Sequence, residues 1–312
     1  MEHRPVLWQE CLEALNVRSG GVYIDCTLGG GGHGVKILEE SSPDGRLIGI
    51  DRDPEAIEGA RRRLAPFGSR ATLINGNLRH LESLMEEARI DGVDGVLMDL
   101  GISTLQLKAP DRGFGFQVDA PLDMRMNRRE PGITAWDIVN REEGERLGKI
   151  LLTYGEEKRW RAIVKAIVGA REKQPIQTTR ELAMIIEKAL PGARRYKIHP
   201  ATRAFQALRI AVNDELNALR EGLKAAVKLL RIGGRLGVIS FHSLEDRIVK
   251  QYFQQMARGC VCPPKLALCA CGQSPLLKIV SRGAIRPGPE EVRANPASRS
   301  ARLRITEKLG GE

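Results

Sequence analysis

The chain has 312 residues, 42% of them hydrophobic and 28% charged, a balance that supplies a packed core and excludes a disordered or fibrous protein. It contains no run of about 18 apolar residues, which excludes a membrane-spanning helix; its polar start, Met1-Glu2-His3-Arg4-Pro5, has no secretory character, so a cytoplasmic protein of about two domains is expected. The net charge of 49 − 39 = +10 points to a polyanionic partner, nucleic acid foremost, against the plainer reading of a solvated basic surface.

Val22–Asp25 reads as a short buried strand ending in an acid. A glycine run follows, then a helix over 35–40 and a second strand over Arg46–Asp51. Asp53 stands as N-cap and Pro54 as first residue of the next helix, which runs to Leu64. Ala71–Asn75 and 95–99 are the third and fourth strands. Strands alternating with helices predict a parallel sheet covered on both faces. From 108 to 207 the pattern is loop and helix, with helices over Trp160–Arg171 and Thr179–Ala189. That stretch holds 20 Lys+Arg and 13 Asp+Glu, a net of +7. Then Phe205, Leu208, Val212, Leu216, Leu219, Leu223, Val227 and Leu230 step by three and four, predicting one long amphipathic helix stopped by Gly233-Gly234. A strand follows over 235–241. Ser243 with Asp246 forms a capping-box-like start to another helix, and 301–306 alternates as a closing strand. The expected organisation is an α/β domain in two parts, 1–107 and 208–312, around an inserted helical substrate-recognition domain, 108–207.

The glycine run is Asp25-Cys-Thr-Leu-Gly29-Gly-Gly31-Gly32-His33-Gly34. Glycines after a strand let a ligand approach the backbone, and the following helix N-terminus offers N–H groups. Gly29, Gly31 and Gly34 match GxGxxG, a weak signal alone. Asp51, at the end of the second strand, can accept hydrogen bonds from both ribose hydroxyls of a nucleoside. These features point to an adenosine-containing cofactor. Asp25 would repel a pyrophosphate but could hold an ammonium or sulfonium group, which tilts the choice to S-adenosylmethionine. Leu78 follows the third strand, where it could cover an adenine or simply join the core. Asp99 ends the fourth strand and points to the crevice where ligands of open parallel sheets bind; Gln106 follows closely.

For the substrate, Phe114 and Phe116 lie in a glycine-rich loop between Arg112 and Arg125, where a ring could stack on a base while arginine holds phosphate, or could anchor the loop in a core. His199, Arg203 and His242 flank predicted helix starts near the same edge; a structural role for His242 is weighed equally. Two other classes stay open on these residues, a nicotinamide-dependent oxidoreductase and a non-catalytic RNA-binding protein. Cys260, Cys262, Cys269 and Cys271 can hold zinc as thiolates, although the single-residue spacing inside each pair is tighter than the usual C-x2-C and reduced thiols are the alternative.

Taken together, these residues closely resemble the bacterial ribosomal RNA small subunit methyltransferase H family, also called MraW. The match runs through His3-Arg-Pro-Val-Leu7, Gly31-Gly-His33, Ile50-Asp-Arg-Asp53, Met98-Asp-Leu-Gly-Ile-Ser103, Gln106, Arg112-Gly-Phe, Pro121-Leu-Asp-Met-Arg-Met126, Tyr154-Gly-Glu-Glu157, His199-Pro-Ala-Thr-Arg203, Ser240-Phe-His-Ser-Leu-Glu-Asp246 and the 295–304 segment. The resemblance implies a class I, Rossmann-like S-adenosylmethionine-dependent methyltransferase sheet with an inserted helical domain. It implies methyl transfer to the exocyclic N4 of cytosine 1402 in 16S rRNA, with the small ribosomal subunit as partner, no membrane, and a homo-oligomer left open. Carried over, the cofactor contacts fall on Gly31, Gly32, His33, Asp51, Leu78, Asp99 and Gln106. Asp99 is the candidate catalytic residue. Here Asp99-Leu-Gly-Ile stands where other amino-methyltransferases carry Asp/Asn/Ser-Pro-Pro-aromatic, and no metal is required for the chemistry.

Overall fold

The computed structural model describes residues 5–191, 199–260, 262 and 271–310. They divide into two compact units: Met1–Gly101 together with Leu216–Glu312, and Ile102–Glu215. Among the described residues, no helix is long and apolar enough to cross a membrane.

In chain order the first unit opens with α1 (Trp8–Leu15), β1 (Val22–Asp25), α2 (Gly32–Glu40), β2 (Arg46–Asp51), α3 (Pro54–Leu64), β3 (Ala71–Asn75), α4 (Leu81–Glu87) and β4 (Val93–Asp99). The second unit holds α5 (Thr104–Lys108), α6 (Ala135–Arg141), α7 (Gly144–Gly155), α8 (Trp160–Arg171), α9 (Thr179–Ala189) and α10 (Thr202–Asn213). The chain then returns through α11 (Glu215–Leu229), β5 (Leu230–Ser240), α12 (Ser243–Arg258), β6 (Leu277–Ile279), α13 (Pro289–Ala294) and β7 (Arg302–Lys308).

The seven strands form one sheet in the order β3-β2-β1-β4-β5-β7-β6. Pairing is parallel from β3 to β5 and antiparallel where β7 inserts between β5 and β6. All four β1 residues are buried, and the central strands read as continuous apolar runs, as expected of a sheet covered on both faces. Period-two alternation sorts the side chains. Val22, Ile24, Val96 and Met98 face a core made with α4, α11 and α12. Tyr23, Leu47 and Leu97 face a second core made with α1, α2 and α3. Asp53 caps α3, accepting from the Glu55 N–H at 3.0 Å, with Pro54 behind it, as its sequence predicts.

The second unit has its own core, where Leu147, Leu151, Ile163, Ile167, Leu182, Ile186, Phe205 and Leu208 meet from α7 to α10. Among its helices, α6 and α9 start on capping boxes, Thr134 with Asp137 and Thr178 with Glu181.

Four expectations change. The single helix through 205–230 is two helices. Asp214, with φ 49° and ψ 42°, ends α10 in the left-handed region. Phe205 and Leu208 serve the second unit's core, while Leu219 and Leu223 serve the sheet, so one unbroken apolar stripe spans two destinations. Asn213 holds the break: its amide donates to Met124 O at 2.7 Å and accepts from Met126 N at 2.8 Å, and Arg209 pairs with Glu215 at 2.8 Å across it. The helical unit accordingly runs over 102–215, wider than the expected 108–207. Gly233-Gly234 does not stop a helix; it lies inside β5. The N-cap of α12 is His242, in a box with Glu245, rather than Ser243 with Asp246. Asp246 is instead buried and joins α12 to β7, accepting from Arg302 at 2.8 Å and from Arg304 at 2.7 Å. β6, three residues long, carries too little pattern to read in sequence.

Asp246→Ala strips the partner from two guanidiniums, of which Arg302 is partly solvated. A loss of about 2 kcal/mol is expected in urea unfolding; a change within 0.5 kcal/mol, the size typical of an ordinary surface substitution, would count against this ion cluster as the tie between α12 and β7.

Candidate active site

Parallel pairing of β1 with both β2 and β4 brings Asp25, Asp51 and Asp99 to one edge of the first unit's sheet. That edge is the carboxyl end of its strands, and the order reverses there between β1 and β4, the place where open α/β sheets bind ligands. The glycine run lies on this edge as a turn. Gly29 and Gly31 sit at φ 51° and 76°, a conformation that a side chain would strain. The turn is held from below. Asp51 Oδ2 accepts from Gly29 N–H at 2.7 Å, and Asp51 Oδ1 accepts from Asp53 N–H at 2.8 Å. Thr27 ties the first strand to the fourth: its hydroxyl accepts from Asp99 N–H at 2.6 Å, while its own N–H donates to Asp25 Oδ1 at 3.1 Å. No side chain caps the N-terminus of α2, whose cap residue is Gly31, so its positive end faces this edge without a protein anion at the cap.

His33, on the first turn of α2, is 6% exposed and places Nε2 3.6 Å from Asp99 Oδ2, an ion contact too long for a hydrogen bond. Asp25 Oδ2, Asp99 Oδ1 and His33 Nε2 are all buried and without a hydrogen bond. Burial pushes the Asp25 carboxyl up to about 6; His33 and the Thr27 N–H oppose that, and the Asp99 and Asp51 charges add to it. For His33 burial disfavours the charged ring, but the Asp99 carboxylate, with Asp25 and Glu291 behind it, holds its pKa above the usual imidazole value. Burial raises the Cys11 and Cys26 thiols well above normal, which removes both as nucleophiles.

Of the sequence-derived cofactor positions, Gly31, Gly32, His33, Asp51, Leu78 and Asp99 belong to the first unit. Leu78 follows β3 in a short turn and packs on Gly222 of α11, where a Cβ would collide with it. Gln106 belongs to the second unit, where it closes a capping box with Ser103 on α5.

Most of the proposed substrate residues also belong to the second unit. Phe114 is buried in its core, the anchoring role rather than an exposed platform. Arg112 is 2% exposed and donates to the carbonyls of Arg125 and Met126, the latter at 2.7 Å. Arg125 forms a two-point pair with Asp123 at 2.8 and 2.9 Å. Phe116 lies between His199, with ring centroids 4.5 Å apart, and Phe205, at 4.9 Å. Arg203 reaches Glu157 at 3.9 Å and stays half exposed. His242 belongs to the first unit. It caps α12, and its Nε2 lies 3.1 Å from Glu245.

His242 also lines a cleft of about 280 Å³ at the end of β5, walled by Arg286, Arg299, Ser300 and Arg302. Arg302 is paired with Asp246; Arg286 and Arg299 are exposed and have no ion-pair partner among the described residues. Sequence reasoning missed Arg286 and Arg299 as a pair. Both stand in proline- and serine-containing stretches without periodicity, and only the antiparallel return of β7 beside β5 brings them to His242.

Residues 1–309 match the model of the MraW methylase family. The chain belongs to that family. It is 54% identical over 308 residues to the ribosomal RNA small subunit methyltransferase H of Symbiobacterium thermophilum, covering 98% of this chain and 96% of the relative. The same named protein of Geobacter sulfurreducens is 54% identical with 98% and 99% covered, and that of Brevibacillus brevis 49% identical with 98% of each covered. The seven-stranded α/β sheet is thus the Rossmann-like methyltransferase sheet that the sequence implied. Membership in a methylase family also decides against the nicotinamide-dependent oxidoreductase.

The raised Asp25 pKa has a stability consequence. The native state holds that proton more tightly than the unfolded chain, so this group's contribution is full below about pH 4 and is lost as pH rises through about 6. Asp25→Asn removes the drop. In urea unfolding of the ligand-free protein, the variant's advantage over wild type should grow between pH 4.5 and 7.5 by about 2 kcal/mol; a pH-independent difference would contradict the buried, unpaired carboxylate.

Proposed function

We propose that the protein transfers a methyl group from S-adenosylmethionine to the exocyclic N4 of cytosine 1402 of 16S rRNA, acting in the cytoplasm on the small ribosomal subunit. The observation that carries the cofactor is the set of buried acceptors at the sheet edge. Asp25 Oδ2 and Asp99 Oδ1 lack partners beside a glycine turn, which suits a ligand bearing positive charge and disfavours a pyrophosphate. Asp25 would hold the cationic part, the N–H groups of the turn its amino-acid carboxylate, Asp51 the ribose, and Leu78 the adenine, with the Asp99 charge beside the cation. The bound cofactor supplies an electrophilic methyl on a sulfonium, a good leaving centre. The substrate class rests on the family, whose relatives are named as small-subunit rRNA methyltransferases; the cytosine and its position rest on the resemblance of the motifs.

The cytosine N4 lone pair is delocalised into the ring, so the protein must orient it. Asp99 is the acceptor for that task. Its Oδ1 is unengaged, and its backbone N–H is fixed by Thr27. An N4–H bond donated to Asp99 turns the lone pair toward the methyl donor and gives the proton that N4 sheds on methylation a path to the Asp99 carboxylate; alignment of this kind is worth about 7–11 kcal/mol of barrier. The base has to leave its stack to arrive there. Arg286 and Arg299 offer unpaired guanidiniums at the end of β5, next to β4, suited to the phosphates flanking a splayed nucleotide.

The direct test incubates the protein with labelled S-adenosylmethionine and small subunits from cells lacking the gene, followed by mass spectrometry of the nucleosides. N4-methylcytidine at the proposed position is the expected product; label in another nucleoside, or none, would discard the substrate assignment. Asp99→Ala should lower kcat by at least about 100-fold, and near-normal turnover would remove Asp99 from the chemistry. Arg286→Gln with Arg299→Gln should weaken RNA binding and reduce the salt slope by about 2 while leaving cofactor affinity unchanged. An unaltered slope would place the RNA backbone elsewhere.

A further inference from the structure

The cysteines at the end of α12 take no part in the methyl-transfer site. Cys260, Cys262 and Cys271 gather there, with all three sulfurs within 4.8 Å of one another. Cys269, the fourth in sequence, lies outside the described residues. Sγ of Cys260 and Sγ of Cys271 are 3.8 Å apart, nearly twice a disulfide bond. Two thiolates bound at about 2.3 Å to a tetrahedral zinc ion stand about 3.8 Å from each other. The sequence adds a reason for the convergence. Cys260 and Cys262 follow α12 directly, Cys271 precedes β6, and the two ends meet where Leu276 N–H donates to Met256 O at 3.0 Å.

We propose that Cys260, Cys262 and Cys271 bind a zinc ion as thiolates, with one further donor completing a tetrahedron. An all-sulfur set of three selects a soft or borderline divalent ion and rejects magnesium and calcium. The site is structural. α12 starts just after its cap His242 on the carboxyl edge and runs 16 residues, about 24 Å, so its far end is remote from Asp99. There the ion joins two cysteines eleven positions apart, Cys260 and Cys271, and fixes the entry to β6. This three-residue edge strand is held to β7 by few pairings and to the core by Leu277. Ligand deprotonation accompanies binding, so the affinity falls at low pH.

The test uses the full chain purified with reductant and without chelator. Elemental analysis should give about one zinc per chain. Cobalt exchanged into the protein should show sulfur-to-cobalt charge transfer and the visible bands of a tetrahedral thiolate site. Cys260→Ser with Cys271→Ser should abolish both signals while circular dichroism keeps the fold, and Cys262→Ser alone should weaken zinc retention at least about 10-fold against a competing chelator. Cys269→Ser identifies the fourth donor: loss of zinc affinity assigns it to that thiol, and the proposal stands with a closed four-sulfur site. Absence of metal after equilibration with zinc, zinc kept by the double variant, or fewer than six titratable thiols in the denatured metal-free chain, meaning a disulfide, would each overturn it. Because the readout is metal content and cobalt spectra, failure of the methyltransferase assay leaves this result untouched, and the reverse also holds.

Discussion

Three neighbouring parallel strands, β2, β1 and β4, end together, and each ends in an aspartate. Everything at the candidate site follows from holding those carboxylates on one edge, Asp25 buried and Asp51 and Asp99 partly open to water. Asp25 is 1% exposed and carries the cost most directly, since burial and its acidic neighbours both oppose its ionisation. His33 offsets part of that repulsion from the first turn of α2. A fold selected for stability alone would place an apolar or paired residue at Asp25. An acid without a full set of partners there marks a position where stability has been given up for binding.

The backbone does much of the positioning. Thr27 couples Asp25 to Asp99 through one hydroxyl and one N–H. Asp51 braces the glycine turn and the start of α3 with its two oxygens. Because these are backbone-to-side-chain bonds within four residues of strand ends, the geometry depends on strand register and little on distant packing. The antiparallel return of β7 has a different effect. It adds no acid to the edge but brings arginines to the end of β5, where Asp246 neutralises some and leaves Arg286 and Arg299 unpaired. Acidic and basic groups are therefore segregated along one edge of the same sheet, in keeping with a cationic cofactor and a polyanionic substrate.

The helical unit is basic in sequence, yet several of its most conspicuous residues are occupied internally. Arg112 holds two carbonyls, Arg125 holds Asp123, and Phe114 fills the core. Positive charge in a loop is thus no guide to contact with RNA until the internal partners are known. Arg203, half exposed and at the edge of ion-pair range, remains open to an external anion in a way that Arg112 does not.

The sequence by itself determined the sheet strands β1 to β5 and β7, the capped start of α3, the glycine turn and the acids at the strand ends, because each is written in short-range chemistry: apolar runs, an Asp-Pro cap, glycines where φ must be positive. Whole-chain similarity fixed the family for the same reason, through residues that stay near their motifs. The break at Asp214, the cap of α12 at His242, and the partners of Arg112 and Asp246 were not legible. An apolar stripe of period 3.6 looks the same whether one core or two receive it, and a charged side chain in sequence does not reveal which opposite charge the fold will set beside it. Only tertiary structure decided those, and with them the cleft of Arg286 and Arg299 and the gathering of Cys260, Cys262 and Cys271, because each depends on segments far apart in the chain being carried to one place by the order of the strands.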